Sequence, residues 1–467
     1  MISNRHLINR RVFALTAGLG AGSLAVRSLI ASDGDTNKAP HHRPTAKSVI
    51  MLFMSGGPSQ VDTFDPKPEL KKLDGQDVPD SLARNVPRIK RAGLQNLLPS
   101  PWQFREQGES GLPVSDLLPR IGEHADQLCL IRSMTHRNPV HGPGECVALT
   151  GTGVGDRPSL GAWSLYGRSL YGMGSETDQL PAFIAMNLHT DGMQHPQAAG
   201  WGTGFLPSRF QGTLVDPARG IRHAKMPPEV SKIRRQQEIE AIQVLNRRLF
   251  ATTRLSELEA RIRSYEVAFE MQTSAPELFD VDTESQETQK LYGMDQKSTM
   301  EVGRACLLAR RMVQRGVRFV QVRVGGWDAH SNLKANHEKL AARTDGPIGA
   351  LLTDLKRTGL LDSTLVVWGG EFGRTPTMEG RSGGRDHSPL AYTVWMAGGG
   401  VQGGQVIGQT DPIGYTVTDT PVKPTDLHAT VLHAIGIDAQ RLLFDHHGLK
   451  ETPLGVTGGS VVKQVFG

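Results

Sequence analysis

Four stretches of the chain are largely apolar and each runs into glycines: Ser48–Met54 before Gly56 and Gly57, Val317–Val324 before Gly325 and Gly326, Ser363–Trp368 before Gly369 and Gly370, and Ala391–Ala397 before Gly398, Gly399 and Gly400. A short apolar run without strict alternation is how a strand buried on both faces reads. These runs predict strands of a mainly parallel sheet, and a fifth is expected over 128–132. Between them the apolar positions recur at helical spacing. Thr299 to Gln314 places Leu307, Leu308, Met312 and Val313 on one side, and Ala335 to Thr358 does the same with Leu340, Ile348, Leu351, Leu352 and Leu355. Strands alternating with helices predict an α/β fold with helices on both faces of the sheet. Residues 227–275 read as an inserted helical segment, with Ile239, Ile242, Leu245, Leu249, Leu255, Leu258 and Ile262 turned inward; a lid and simple packing on the sheet edge are equally open.

The front of the chain has a different pattern. Arg10 and Arg11 precede a weakly apolar run, Val12 to Val26, which contains three glycines and leads to small residues around Ser28 to Ser32. Fifteen residues of this kind are too few to span the ~30 Å hydrocarbon layer of a membrane. Residues 1–31 are therefore expected to be a removable twin-arginine (Tat) export signal, which carries folded cargo out of the cytoplasm. Residues 32–47 read as a polar linker whose His41 and His42 are solvated, and 48–465 as one α/β domain that includes the helical insertion. No other stretch is long and apolar enough to span a membrane, so none is expected in the mature chain, and no internal repeat is visible.

Composition changes this picture in two places. The formal charge of +5 suggests a polyanion partner, but four of those charges are Arg5, Arg10, Arg11 and Arg27, in a segment without acids, which leaves +1 for the remainder. No basic stripe interleaved with aromatics is present, so nucleic acid is excluded as a partner. Cys129, Cys146 and Cys306 are odd in number and distant in sequence, which excludes a disulfide scaffold and a Cys-x-x-Cys metal or redox site.

The chemistry lies in what flanks the strands. Ser55 to Asp65, with Asp62, follows the first; Gly325-Gly-Trp-Asp328-Ala-His330 and Gly369-Gly-Glu371-Phe-Gly-Arg374 follow later ones; Gly384-Arg-Asp386-His387 precedes the strand at 391. In α/β sheets chemistry gathers outside the carboxyl ends of strands. Carboxylate and imidazole together satisfy a hard or borderline divalent cation. An isolated Asp-x-His is commonly a loop cap, but recurrence at successive strand ends predicts one shared polar site.

On these phrases, with His141-Gly-Pro-Gly and Pro424-Thr-Asp-Leu-His-Ala-Thr-Val-Leu-His-Ala-Ile-Gly436, residues 45 to 465 resemble the uncharacterised domain-of-unknown-function-1501 proteins, which are similar to the alkaline phosphatase and sulfatase superfamily. The resemblance implies a metal site built from Asp62, His141, Asp328, His330, Glu371, Asp386 and His387. Two departures stand out. The end of the first strand reads Ser55-Gly56-Gly57 where the superfamily has an Asp, and the nucleophile position falls on His141, with Pro143 retained and Glu145 in place of an Arg, so no conventional hydroxyl or formylglycine nucleophile is present. His141 as metal ligand ranks first, with nucleophile, general base and plain loop histidine as alternatives. Arg374 is read either as a clamp on a tetrahedral oxyanion or as an ion-pair partner of Glu371. Cys146 is expected to be packed.

The resulting expectation is an exported, periplasmic or secreted, metal-dependent hydrolase of phosphate, sulfate or related esters, with zinc as the first choice of cation and manganese, calcium or magnesium as alternatives. Its partners would be a small or polymeric anionic ester and, during export, the twin-arginine translocase. The competing expectation is a non-catalytic exported binding or structural protein on the same fold.

Overall fold

Strand β1, Ser48–Met54, is buried along its whole length because it lies in the middle of the sheet and both its faces are covered. Ile50, Leu52 and Met54 enter one apolar core while Val49, Met51 and Phe53 enter another, so a continuous apolar sequence serves two cores through the period of two along a strand. The computed structural model describes residues 39–87, 93–174, 180–188, 200–218, 232–253, 276–381 and 383–467. The expected export signal at 1–31, and parts of the expected linker and helical insertion, lie outside the described residues.

The other strands of the main sheet are β2 Cys129–Met134, β3 Phe183–Leu188, β4 Thr213–Val215, β5 Phe319–Val324, β6 Thr364–Gly369, β7 Tyr392–Ala397 and β8 Gln405–Ile407, in the order β8-β2-β7-β6-β1-β5-β3-β4. Every neighbouring pair is parallel except the two that involve β7, which runs antiparallel to both β2 and β6. The mainly parallel α/β fold is the one expected, and each of the five anticipated strands is present within two residues at either end.

Six helices of ten or more residues occur among the described residues: α1 His141–Thr150, α2 Leu160–Leu170, α3 Lys232–Thr253, α4 Met300–Gln314, α5 Leu333–Arg357 and α6 Pro424–Ala434. Helices α4 and α5 supply Leu307, Leu308, Met312, Leu351 and Leu355 to one core, and α1, α2 and α6 supply Leu149, Trp163 and Leu432 to the other. Helix α3 departs from expectation in its facing. Leu245 is 64% and Leu249 51% exposed, and Arg234 and Arg248 are exposed too, so the described side chains of this helix form no consistent inward stripe. The part of the expected linker that is described is docked: His41 N–H donates to Gly436 O, Asp438 N–H to His41 Nδ1, and His42 packs its ring 4.1 Å from that of His433.

One topological detail positions the site. Six of the strands end on the same edge of the sheet as β1, and the antiparallel β7 begins there. Residues that precede β7 therefore meet residues that follow β1, β5 and β6.

Candidate metal centre

Glycine makes the meeting at the end of β1 sterically feasible. Gly56 has φ 110°, and a Cβ there would lie 2.6 Å from the backbone nitrogen of Asp328. Only a residue without a side chain lets the β1 and β5 loops approach so closely. The Gly56 N–H donates to Glu371 Oε1 at 2.9 Å, which ties the β6 loop to the same point. After β6 the chain forms a short ribbon in which Arg374 is the register partner of His387, so their side chains share a side.

Both project onto Asp328. Its Oδ1 accepts from Arg374 at 2.6 Å, and lies 3.0 Å from His387 Nε2 and 2.9 Å from His330 Nε2. Its Oδ2 lies 3.3 Å from His141 Nε2, the first residue of α1. Phe372 packs between the imidazoles, with ring centroids 5.0 Å from His141 and 4.6 Å from His387. The site opens on one side: the side chain of His330 is 34% exposed, that of His387 only 4%.

The three imidazoles share a second feature, the anchoring of Nδ1. His141 Nδ1 lies 2.6 Å from Glu371 Oε1, His387 Nδ1 lies 2.7 Å from the carbonyl of Pro139, and His330 Nδ1 is bonded to Glu379. Those oxygens accept, so each Nδ1 carries the proton. Each Nε2 is then left as the lone-pair nitrogen, aimed at Asp328, unless it takes a second proton. The Nε2 of His141 is buried and faces Asp328 Oδ2 without a well-aligned hydrogen bond.

This donor set fits a divalent cation. One ligand atom from each of His141, Asp328, His330 and His387 can be chosen so that all lie within 4.8 Å of one another. Ligands ~2.0–2.1 Å from a tetrahedral ion sit ~3.4 Å apart, close to the contacts made by Asp328. Imidazoles whose Nδ1–H donates to a carboxylate or carbonyl are the usual supported ligands of such ions. The electrostatics agree. Burial opposes charge on Asp328, but its bonds to the three imidazoles and Arg374 hold its carboxyl far below the usual range. Burial also disfavours a charged His141, yet Asp328 and Glu371 outweigh it and raise its pKa to about 9. Burial, assisted by the Arg374 and His141 charges, takes His387 down to about 4. A cation would replace the proton that the cluster otherwise draws onto His141.

The anticipated residues divide into groups. His141, Asp328, His330 and His387 come together; Glu371 stands behind His141; Asp386 forms a second group with His330 and Glu379 on the open side. Asp62 is elsewhere. It accepts from Ser59 Oγ at 2.5 Å and from Arg385 Nε at 2.8 Å, both acid and guanidinium being fully enclosed, so its oxygens are engaged by a fixed cation of the protein. Arg374 pairs with Asp328 rather than Glu371 and bonds the carbonyls of Gly56, Gly57, Trp327 and Arg385. It is wholly enclosed, which makes it a brace for Asp328, with no open face to offer an oxyanion. Ser55 and Ser59, which follow β1 in sequence, are also enclosed; Ser55 Oγ donates to Glu145 Oε1 at 2.6 Å, and Arg323 bonds the same oxygen. Cys146 is a buried free thiol, as expected. Sequence reasoning did not identify Glu379 or the Pro139 carbonyl. A backbone acceptor carries no residue-type signal, and Glu379 lies outside the glycine-flanked phrases.

No curated protein matches the chain. Among solved structures, a phosphonate monoester hydrolase from Silicibacter pomeroyi is 13% identical, with a TM-score of 0.38 over 90% of this chain and 76% of that one. A sulfatase from Pseudoalteromonas sp. is 13% identical, with a TM-score of 0.35 over 85% of this chain and 68% of the other. A variant of TAB5 alkaline phosphatase with magnesium bound is 12% identical, with a TM-score of 0.33 over 76% of this chain and 92% of the other. The pattern of the family described as protein of unknown function, DUF1501, matches residues 46–466, and the chain belongs to that family.

Proposed function

We propose that the protein is an exported metal-dependent hydrolase of phosphate, sulfate or related esters, with residues 1–31 as its twin-arginine signal. The observation that carries this reading is the convergence of three Nδ1-anchored imidazoles on one carboxylate at the carboxyl edge of the sheet. His141, Asp328, His330 and His387 would hold a divalent cation, zinc being the best match to an N₃O set. Such an ion supplies Lewis acidity toward an ester oxygen and acidifies water. The protein's own groups do the rest. Arg374 fixes the rotamer of Asp328, Glu371 and the Pro139 carbonyl hold the protons on the Nδ1 atoms of His141 and His387, and Phe372 keeps bulk water from their buried edges. Glu379 and Asp386, half-buried beside His330 on the open side, are the carboxylates placed to take a proton from an entering water.

One observation favours the second reading, a non-catalytic exported binding or structural protein: the nucleophile position is filled by His141, which is engaged by Glu371 and Asp328. Metal analysis of the mature chain, with turnover of aryl phosphate and aryl sulfate esters, separates the two. The hydrolase reading expects at least one divalent ion per chain and turnover that His141→Ala removes. Less than one ion per chain, or a loaded chain that cleaves neither ester class, supports the binding protein.

A further inference from the structure

His136 lies between β2 and α1, two residues past the end of β2, and is not one of the cluster imidazoles. Its ring nonetheless touches two of the loops that build the cluster. Nε2 lies 2.6 Å from the backbone carbonyl of Glu371, and Nδ1 lies 3.1 Å from the backbone nitrogen of Asn138. Its own backbone N–H donates to Pro389 O at 2.8 Å, two residues beyond His387. The ring stands edge-on to Tyr392 at the start of β7, with centroids 5.7 Å apart.

The partners dictate a single tautomer. A carbonyl only accepts, so Nε2 carries the proton; a backbone N–H only donates, so Nδ1 is bare. This is the reverse of the assignment for His141, His330 and His387. Protonation of Nδ1 would set two donors against each other at Asn138, and deprotonation of Nε2 would set two lone pairs against each other at Glu371. The Asn138 bond also curls the segment so that the next residue, Pro139, offers its carbonyl to His387 at 2.7 Å and His141 follows at the start of α1.

We propose that His136 is a positioning residue of the centre, a neutral Nε2–H imidazole that locks Glu371 to the 138–141 segment so that His141 and His387 present Nε2 to one point. The inference rests on the metal-centre reading. Loss of the Nε2–H donor should loosen both supports at once, and groups behind metal ligands typically change affinity 10- to 100-fold.

The test is titration of the chelator-treated full chain with cobalt(II), read by its visible absorption bands. Wild type should take up the ion with bands of a low-coordinate nitrogen-rich site. His136→Leu should weaken uptake about tenfold and shift the bands, and His136→Gln, which keeps a donor near the position of Nε2, should restore both. Unchanged affinity and bands in His136→Leu overturn the inference while leaving the metal centre standing. Equal impairment in His136→Gln assigns the loss to packing against Tyr392 and also overturns it. No cobalt uptake by wild type overturns the metal-centre reading and this inference together. Should His136→Leu fail to fold, ¹⁵N NMR of histidine-labelled wild type decides: an Nε2–H tautomer is expected at His136, and an Nδ1–H or doubly protonated ring overturns the proposal.

Discussion

His141 and Glu371, 230 residues apart in sequence, are joined by a 2.6 Å contact between Nδ1 and Oε1. Glu371 is fully enclosed and its carboxylate is also held by the Gly56 N–H, so it cannot turn to solvent when its partner changes. The contact fixes which nitrogen of His141 is free. Glu371→Gln should therefore keep the fold, while weakening divalent-ion affinity by about 10- to 100-fold. Isothermal titration of the chelated protein with zinc checks this, and undiminished affinity would remove Glu371 from the centre.

Asp62 and Asp328 are both carboxylates in strand-end loops, and they are expected to behave oppositely. Asp62→Asn breaks an enclosed pair with Arg385 and leaves a buried cation, which costs ~3–5 kcal/mol, while metal content stays at the wild-type value. Asp328→Asn should abolish metal retention. Paired denaturant melts and metal analyses on the two variants separate the roles; loss of metal in the soluble, folded Asp62 variant would return that residue to the ligand set.

Acid should destabilise the metal-free protein partly through His337, a wholly buried ring on α5. Its Nε2 accepts from the Ser59 N–H at 3.3 Å, and burial takes its pKa down from 6.5 to about 3. Above pH 6.5 the ring is neutral in both folded and unfolded chains and contributes no pH dependence. As pH falls from 6.5 toward 3 only the unfolded chain takes up the proton, so stability drops with a slope approaching one proton, ~1.4 kcal/mol per pH unit. His337→Gln should reduce the slope over that window. Urea unfolding of the chelated protein at several pH values measures it, and an unchanged slope would refute the assignment.

Export is tested without structure. Replacing Arg10 and Arg11 together by Lys should leave the full-length precursor in the cytoplasm, as seen by fractionation and immunoblotting. Processed protein in the periplasm of a strain without the twin-arginine translocase would overturn the route.

What the sequence determined by itself is local. Apolar runs such as Ser48–Met54 and Thr364–Gly369 can be stable only when covered on both faces, and the glycines after them mark turns that need freedom in φ, so the sheet and the edge that carries the cluster were legible. The recurrence of Asp328, His330, Glu371 and His387 at that edge was legible for the same reason. The tertiary structure alone decided the partners. It reversed β7, which brought His387 and Asp386 to the edge where the other strands end; it gave Asp62 to Arg385, 323 residues away, and supplied Pro139 O, Glu379 and His136 as supports. A buried polar atom is satisfied by whichever group the packed chain places within about 3 Å. That choice depends on the relative placement of loops hundreds of residues apart, and no local pattern of hydrophobic and polar positions encodes it.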